Sequence, residues 1–464
     1  MKRIFGLLSI LVVIVMLVSA CTPATPATTT TSQPVATQPP ATQPPANQPP
    51  TNPTSAAPAQ SNVTLNFACW SDTIGTTDAV QTKLIDPFTA KTGIKVNLQI
   101  LPWDQYWTKL QTLSATGGLP DVFCMSAAYA WEYADKKITM DLQPLFDRDF
   151  KAADYYMPVT QNMWIRYPDS TTGDLYAMPF RWVLGGLFYN KDIFDAAGVA
   201  YPQDNWTYND MLEAAKKLTK TDASGQTTTW GMYVQPDHIN LDPMIKANGG
   251  YVLDPANKKC GLTEPAAINS LQWMVDATYK YKVSPPPGLV GTQEGQFKAG
   301  VFPSGKVAMV IDGSYNIATW KDLPFKWDVV SQPAGTVAKA VYGGPDSFSI
   351  DAKTQHPDEA WKFLSIFLSP EVQNQYDVIG IGAIPFLKAA ASDPKFLASP
   401  GLPAHFDLMV NSNPYLAFTS YGYRWMEWRI SIMNNELSKA LLGTSTAAVA
   451  AKSACTAITQ TIWP

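Results

Sequence analysis

Charged residues are scarce in this sequence, and the common signatures of catalytic chemistry are missing. Of its 464 residues 16% are charged, the formal net charge is −4, and there are three histidines, His238, His356 and His405. No block of Lys and Arg creates a local attraction for nucleic acid. The motifs HExxH, Gly-x-Ser-x-Gly, Gly-x-Gly-x-x-Gly and the phosphate-binding P-loop do not occur. We therefore expect no nucleic-acid partner, no metal and no cofactor.

The amino-terminal apolar run is too short for a comfortable membrane span, but it has the pattern of an export signal. Two basic residues precede the run from Ile4 to Val18, and Ser19-Ala20-Cys21 follows it. A bilayer span needs about 20 apolar residues, whereas a basic start, a short apolar run and small residues indicate secretion. Val18-Ser19-Ala20-Cys21 resembles the bacterial lipobox. Residues 1–21 are thus predicted to be a lipoprotein signal peptide with Cys21 lipidated; a plain signal peptide, cleaved near Ala20, is the alternative.

Residues 22–61 contain no charged side chain and consist almost entirely of Thr, Pro, Ala, Gln, Asn and Ser. Such a segment buries too little apolar surface to offset the entropy of ordering it, so it is predicted to be a disordered linker. A linker after a lipidated cysteine predicts a protein exported and anchored to the outer face of the bacterial cell membrane.

Cysteine is also rare, and its spacing argues against a metal or redox motif. Besides Cys21 there are four cysteines, Cys69, Cys124, Cys260 and Cys455, and no pair has Cys-x-x-Cys spacing. An exported chain tolerates disulfides, so these four residues form either two disulfides or buried thiols. The spacing alone leaves both alternatives open.

The body of the chain alternates between strand and helix patterns. Strand-like runs at 63–69, 94–100 and 121–125 are separated by helical patterns that end near Gly93 and Gly117. This spacing predicts parallel βαβ units. Ligands in such sheets bind beyond the carboxyl ends of the strands, which here carry Trp70-Ser71-Asp72 and Met125-Ser126-Ala127.

Helical patterns supply four further expectations. One helix with Pro87 inside it is expected between the first two strands, and Thr207 is expected to cap a later helix. Residues 357–368 predict a helix whose inward positions are Ala360, Phe363, Leu364 and Phe367. The carboxyl-terminal third is expected to be mainly helical.

Several segments together resemble the family 1 extracellular solute-binding proteins of ABC importers, to which the maltose-binding protein belongs. They occur in the order typical of the family and extend over nearly the whole body from Val63: residues 88–96, 118–123, 176–180, 187–194, 249–250, 309–315, 343–344 and 360–364. Each segment is weak alone, but their order behind a lipobox is specific.

The resemblance implies an α/β protein with a two-lobe periplasmic-binding-protein fold, type II-like, whose lobes close on ligand about a hinge. It assigns residues 62–180 plus 348–392 to one lobe and residues 181–347 plus 393–464 to the other. By that assignment Cys69 pairs with Cys124, and Cys260 pairs with Cys455. The implied function is capture of a sugar or oligosaccharide and its delivery to ABC permease subunits.

The resemblance also identifies candidate ligand-binding residues: Trp70, Asp72, Arg181, Trp182, Tyr315, Trp425 and Arg429. Two loop aspartates, Asp237 and Asp346, are further candidates because their carboxylates could accept hydrogen bonds from hydroxyl groups. Aromatic rings stack on sugar faces, while planar polar groups hydrogen-bond paired hydroxyls. Trp425 and Arg429 lie four residues apart and so share a face if this segment is helical. For each residue a structural role is the alternative, such as core packing for Trp70 and Trp425 or plain solvation for the two aspartates.

Two other functions stay open at this point. Binding of a non-sugar such as a polyamine would need several carboxylates around the aromatic rings. A secreted glycoside-processing enzyme would need a paired acid and nucleophile, whose separation no sequence reveals in a fold of this size. We favour a binding protein rather than an enzyme.

Overall fold

The structure, a computed structural model, describes residues 62–71, 77–156, 175–254, 257–287, 298–376, 384–417 and 424–463, without the side chains of Asp104, Lys298 and Ala299. All of these residues fall within one compact unit, Ala57–Pro464. The predicted signal peptide with Cys21, the predicted linker and Asp72 lie outside the described residues.

The first half begins with the expected strand–helix alternation. Strands β1 (Thr64–Trp70), β2 (Lys95–Leu101) and β3 (Val122–Ser126) are parallel, with β1 in the middle. Buried and exposed side chains alternate at the start of β1, whereas β3 is buried almost throughout. The helices of this half are α1 (Thr77–Val80), α2 (Asp86–Thr92), α3 (Trp103–Thr116), α4 (Ala127–Asp135) and α5 (Gln143–Asp149). The predicted βαβ units are confirmed.

Helix ends follow local chemistry. Gly93 and Gly117 end α2 and α3 in the left-handed conformation, at φ values of 76° and 78°, which glycine adopts without a steric cost. The single helix expected around Pro87 is instead divided, with a π-helical turn at Gln81–Ile85 between α1 and α2. Pro87 lies in the first turn of α2, where its missing N–H would have had no intrahelical acceptor.

A long strand, β4 (Met178–Asn190), connects the two halves of the protein. All 13 of its residues are buried, which explains its nearly continuous apolar sequence. Its first part pairs with β11 (Gly343–Ile350) and β12 (Ile384–Pro385). Its second part pairs with β9 (Met309–Gly313) and β10 (Trp327–Ser331). The strands follow the order β10-β4-β11-β3-β1-β2.

Helices cover the sheet and form most of the carboxyl-terminal region, as predicted. Those between β4 and β11 are α6 (Lys191–Ala197), α7 (Tyr208–Leu218), α8 (Leu241–Ala247), α9 (Pro265–Tyr279), α10 (Lys298–Val301) and α11 (Ile317–Trp320). The later ones are α12 (Pro357–Ile366), α13 (Pro370–Gln373), α14 (Lys388–Ala391), α15 (Pro394–Leu397), α16 (Phe406–Val410), a π-helix at Met426–Met433, α17 (Asn434–Leu441) and α18 (Ala447–Ile462). Short hairpins pair β5 (Lys220–Thr221) with β6 (Thr227–Thr229) and β7 (Leu253–Asp254) with β8 (Lys259–Cys260).

Two disulfides join elements that are distant in sequence. Cys69 at the end of β1 is bonded to Cys124 on β3, and Cys260 on β8 is bonded to Cys455 on α18. Both pairings implied by the family resemblance are confirmed. The first bond joins β1 to β3, and the second joins the β7–β8 hairpin to α18.

Candidate functional site

The carboxyl ends of several strands meet where β4 passes from the first half to the second. We call this place the crossing and define it as Val183–Gly186 on β4 together with the neighbouring residues Tyr342–Gly344. The two segments are joined by a hydrogen bond, in which the Gly185 N–H donates to the Tyr342 carbonyl over 2.8 Å. Gly313, the last residue of β9, pairs with Gly185. Ser126, the last residue of β3, pairs with Asp346, close to the crossing along β11. In α/β sheets, ligands bind beyond such strand ends.

Gly185 and Gly186 at the crossing leave room for side chains that pack closely against β4. A Cβ atom on Gly185 would lie 2.8 Å from the Gln332 amide oxygen, and one on Gly186 would collide with Met409. The Gln332 amide in turn donates to the Ile239 carbonyl over 2.8 Å. The backbone of β4 is therefore held tightly at the point where the chain passes between the halves.

Arg181 and Asp346 form a buried ion pair beside the crossing. Arg181 is 1% exposed, and its Nε and Nη2 atoms lie 2.7 Å and 2.5 Å from the Asp346 Oδ2 atom. Trp182 is fully buried, and its indole N–H donates to Asn413 over 2.8 Å. These contacts connect β4 to β11 and to the segment after α16. Ligand contacts by Arg181, Trp182 and Asp346 stay predictions.

Tyr315 lies just beyond β9 and donates its phenol hydrogen to Asp312 over 2.7 Å. The ring lies against Gly313, where a Cβ atom would collide with it. Burial first, and then the Asp312 carboxylate, raise the pKa of Tyr315 well above its usual range. The phenol is therefore protonated at neutral pH. The half-buried ring combines an apolar face with a polar edge.

Asp237 is buried and organises the loop before α8. Its carboxylate accepts hydrogen bonds from the Ile239 and Asn240 N–H groups over 3.1 Å and 2.8 Å, and from the Gln235 amide. After the larger effect of burial, the charges of Asp237 and Asp312 both raise the pKa of Tyr233. Both carboxylates thus lie near the Tyr233 phenol. This role is structural, and contact between Asp237 and ligand stays a prediction.

Trp425 is one of three rings that meet near Tyr315. The half-buried His238 ring lies edge-on against Trp425, with 5.2 Å between ring centroids, and against Tyr342 at the same distance. Trp425 is 4% exposed. The charge of Tyr342 contributes to the raised pKa of Tyr315, after burial and Asp312. Together Asp237, His238, Asp312, Tyr315, Tyr342 and Trp425 form what we call the crossing cluster.

Arg429 is buried and held by partners within the protein, and a ligand contact by this residue stays a prediction. Its side chain is 0% exposed and forms a two-armed ion pair with Asp242, with distances of 2.9 Å and 3.1 Å. It also donates to the Pro236 carbonyl over 3.2 Å and to Asn434. Burial raises the pKa of Asp242, while Arg429 acts in the opposite direction. The Trp-x-x-x-Arg spacing predicted a shared face, and the segment is a π-helix that begins after Trp425.

Trp70 lies beneath the surface, at 2% exposure, and other rings cover it. The nearest are Trp103, Tyr106 and Trp107, with 5.0, 5.4 and 5.6 Å between ring centroids. Trp103 is 39% exposed, so it, rather than Trp70, presents a ring to solvent at this strand end. A ligand contact by Trp70 itself stays a prediction.

A cavity of about 240 Å³ opens beside these rings and is lined by Trp103, Trp107, Thr108, Gln111 and Tyr129. The Trp107 and Tyr129 rings stack with 3.8 Å between centroids. We call this set the aromatic groove. The aromatic groove was not among the predicted binding residues, although the sequence pattern indicates it. Trp103, Trp107 and Gln111 recur every four residues along α3, directly after β2.

Neither a group of metal-ion ligands nor a membrane-spanning helix is found among the residues that the structure describes. Within them, no three His, Cys, Asp or Glu side chains are grouped in a way that suits a metal ion. No helix among them is both long enough and apolar enough to cross a bilayer.

Comparison with known proteins gives a consistent result. A family model described as bacterial extracellular solute-binding protein matches residues 72–374. A binding protein of Brucella abortus is 27% identical over 291 residues, which cover 60% of this chain and 66% of that protein. The maltotriose-binding protein of Pyrococcus abyssi is 25% identical over 234 residues, 49% of this chain and 48% of that protein. The alignments thus span less than two thirds of these curated relatives.

A solved structure shows similarity over a larger part of the chain. An ABC substrate-binding protein of Listeria monocytogenes, in complex with cycloalternan, has a TM-score of 0.75 and 26% identity, and the match covers 87% of this chain and 99% of that chain. The maltose-bound protein of Thermotoga maritima, at 21% identity and a TM-score of 0.71, supports the fold alone. The predicted two-lobe α/β fold is confirmed.

Proposed function

Because the chain belongs to the bacterial extracellular solute-binding proteins, we propose that it captures a sugar or an oligosaccharide outside the cell and delivers it to the permease subunits of an ABC importer. The aromatic groove and the crossing cluster supply the two walls of the binding site. Binding, not catalysis, is the proposed activity, so no residue is assigned a catalytic role.

The aromatic groove is the observation that favours a carbohydrate. An exposed indole next to a stacked indole–phenol pair offers flat apolar faces for sugar C–H groups, and Thr108 and Gln111 offer a hydroxyl and an amide. Similar proteins in the comparisons are described as binding maltotriose or as complexed with cycloalternan. No charged side chain lines this cavity, which is compatible with a neutral ligand.

The crossing cluster supplies the second wall. Tyr315 and His238 are half-buried, and Trp425 and Tyr342 lie directly behind them. The protonated phenol of Tyr315 is fixed by Asp312, so its ring keeps one orientation before ligand arrives. Fixed rings lower the entropic cost of binding. Asp237, Arg181 and Asp346 hold the surrounding backbone.

The proposed capture of ligand by closure depends on how the two halves are connected. Few strands pass between them, and β4 and β11 run side by side at the crossing. A ligand that contacts both walls binds the closed arrangement more tightly than the open one and shifts the population toward it. With the lobe limits that the family resemblance implies, each disulfide would lie within one lobe and would not oppose this motion.

Anchoring is the part of the proposal that rests on the amino-terminal sequence. Cys21 would carry lipid, and residues 22–61 would tether the body at a distance from the membrane. The change Cys21→Ser in the full chain is expected to move the protein from the membrane fraction to the medium or periplasm. Retention of Cys21→Ser in the membrane fraction, to the same extent as the unchanged protein, would rule out this anchor.

A thermal-shift screen of the detergent-solubilised full chain tests the ligand class. The malto-, cello- and xylo-oligosaccharide series form one arm, and spermidine and putrescine form another. A ligand that binds only the folded state raises the unfolding temperature, and we expect this from at least one saccharide and neither polyamine. A shift with polyamines alone would replace the proposed ligand, and cleavage of a bound saccharide would replace binding with an enzymatic function.

The change Trp103→Ala tests the aromatic groove. If the exposed indole stacks on the sugar, its loss is expected to weaken affinity at least tenfold, since aromatic anchors carry much of a binding energy. Tyr279→Ala is the matched control, because Tyr279 is 44% exposed on α9 and lies outside both walls. Titration calorimetry gives both affinities. Equal affinities for the two variants would remove Trp103 from the site.

A further inference from the structure

A second cavity continues the aromatic groove away from the strand ends. It measures about 310 Å³ and is lined by Gln111, Ser114, Ala115, Glu132, Tyr133, Lys136 and Ile138. Gln111 lines both cavities. The two cavities therefore adjoin between α3 and α4; we call them together the track and the second cavity the rear groove.

The track is longer than a single sugar ring. From Trp103 to Ser114 helix α3 advances about 17 Å, at a rise of about 1.5 Å per residue. Helix α4 lines the opposite side, from Tyr129 in its first turn to Lys136 just past its end. A mono- or disaccharide held at the strand ends would leave the rear groove empty.

The lining of the rear groove suits a neutral ligand rich in hydroxyl groups. Glu132 and Lys136 lie 2.5 Å apart and cancel each other's charge, while both side chains stay accessible, at 37% and 58%. The Glu132 carboxylate accepts hydrogen bonds and the Lys136 ammonium group donates them, so together they can hydrogen-bond two neighbouring hydroxyl groups. Gln111 and Ser114 add an amide and a hydroxyl.

Two buried polar groups, the Trp107 indole N–H and the Tyr133 phenol, lie at the floor of the track. The Trp107 indole N–H has no acceptor among the described residues, although the side chain is only 5% exposed. Leaving such a buried donor unsatisfied is unfavourable, so an oxygen supplied from the groove would be favourable. Burial, followed by the charge of Glu132, raises the pKa of the Tyr133 phenol, which thus remains a neutral group at the floor.

We propose that the rear groove binds the continuing units of an unbranched neutral oligosaccharide whose first units lie in the aromatic groove. The inference rests on the proposed function and narrows its ligand class. The preferred ligand is then a chain of several sugar units, and a monosaccharide or a disaccharide is bound more weakly. The Glu132–Lys136 pair and Gln111 hydrogen-bond the added units.

The experiment compares chain lengths in the full-length protein with the rear groove open and blocked. Ala115→Phe fills the groove from an exposed helical position, and Thr116→Phe places the same ring on the adjacent exposed position, outside the lining. Calorimetric affinities are measured for the disaccharide through the hexasaccharide of each series that binds, malto-, cello- or xylo-. Unfolding temperatures of both variants confirm that each is folded.

We expect the unchanged protein and Thr116→Phe to gain at least tenfold in affinity from disaccharide to hexasaccharide. Ala115→Phe should lose most of that gain while binding the disaccharide within about twofold of the unchanged protein. Affinity independent of chain length, or a full gain in Ala115→Phe, would overturn the rear-groove inference and leave carbohydrate capture intact. Absence of binding by every series in the unchanged protein would instead overturn the proposed function.

Discussion

Single residues in this protein have roles that depend on partners far away in sequence. The spacing to Trp425 predicts a ligand contact by Arg429, which stays untested; in the structure its guanidinium pairs with Asp242, 187 residues away. Trp70 was placed correctly at a strand end, but Trp103 and Trp107 cover it. Residue type and local position were predictable, whereas burial depends on three-dimensional neighbours that no local pattern encodes.

The change Arg429→Met is expected to lower the free energy of unfolding by about 3–5 kcal/mol, because it leaves the Asp242 carboxylate buried without its guanidinium. Urea denaturation monitored by tryptophan fluorescence measures the loss. The double change Arg429→Met with Asp242→Leu is the control, since a buried pair replaced by apolar groups often regains stability. The usual cost of breaking a buried ion pair is several times larger than about 1 kcal/mol. A loss of unfolding free energy below about 1 kcal/mol in Arg429→Met would therefore show that the pair contributes little to stability.

Helices and strands were the most predictable level of the structure, because their ends depend on nearby residues. Thr207 was expected to cap a helix, and it accepts a hydrogen bond from the Asp210 N–H while Asp210 accepts from the Thr207 N–H. The buried positions on α12 were also as predicted. The π-helical turns at 81–85 and 426–433 were not predicted, since no side-chain periodicity distinguishes them from ordinary helix.

Removing this capping box with Thr207→Ala is expected to cost about 0.5–2 kcal/mol of stability at neutral pH. The hydrogen bonds from Thr207 lower the pKa of Asp210. Their contribution is therefore fully present above the pKa of an unfolded aspartate and is lost as the pH falls through the lower, folded value. Denaturant titrations at several pH values should show the stability difference shrinking in acid. Thr221→Ala, an exposed threonine nearby, serves as the control, and a difference independent of pH would contradict the role of Asp210.

At the scale of the whole molecule, the order of motifs predicted the two-lobe fold, but the limits of the lobes stay a prediction. The expected boundaries at 180/181 and 347/348 fall inside β4 and β11. Arg181 and Trp182 pair with strands of the first half, and pairing with the second half begins at Gly185. A strand shared by two sheets gives no break in hydrophobic pattern, so the sequence did not mark the change.

Small-angle X-ray scattering of the full chain, with and without a saturating saccharide from the thermal-shift screen, is the most direct measurement of capture by closure. In the proposed function the two walls belong to different halves joined at the crossing, so a ligand held by both would draw the halves together. We predict a smaller radius of gyration for the saturated protein than for the free protein. Superimposable scattering profiles at saturation would contradict capture between two moving halves.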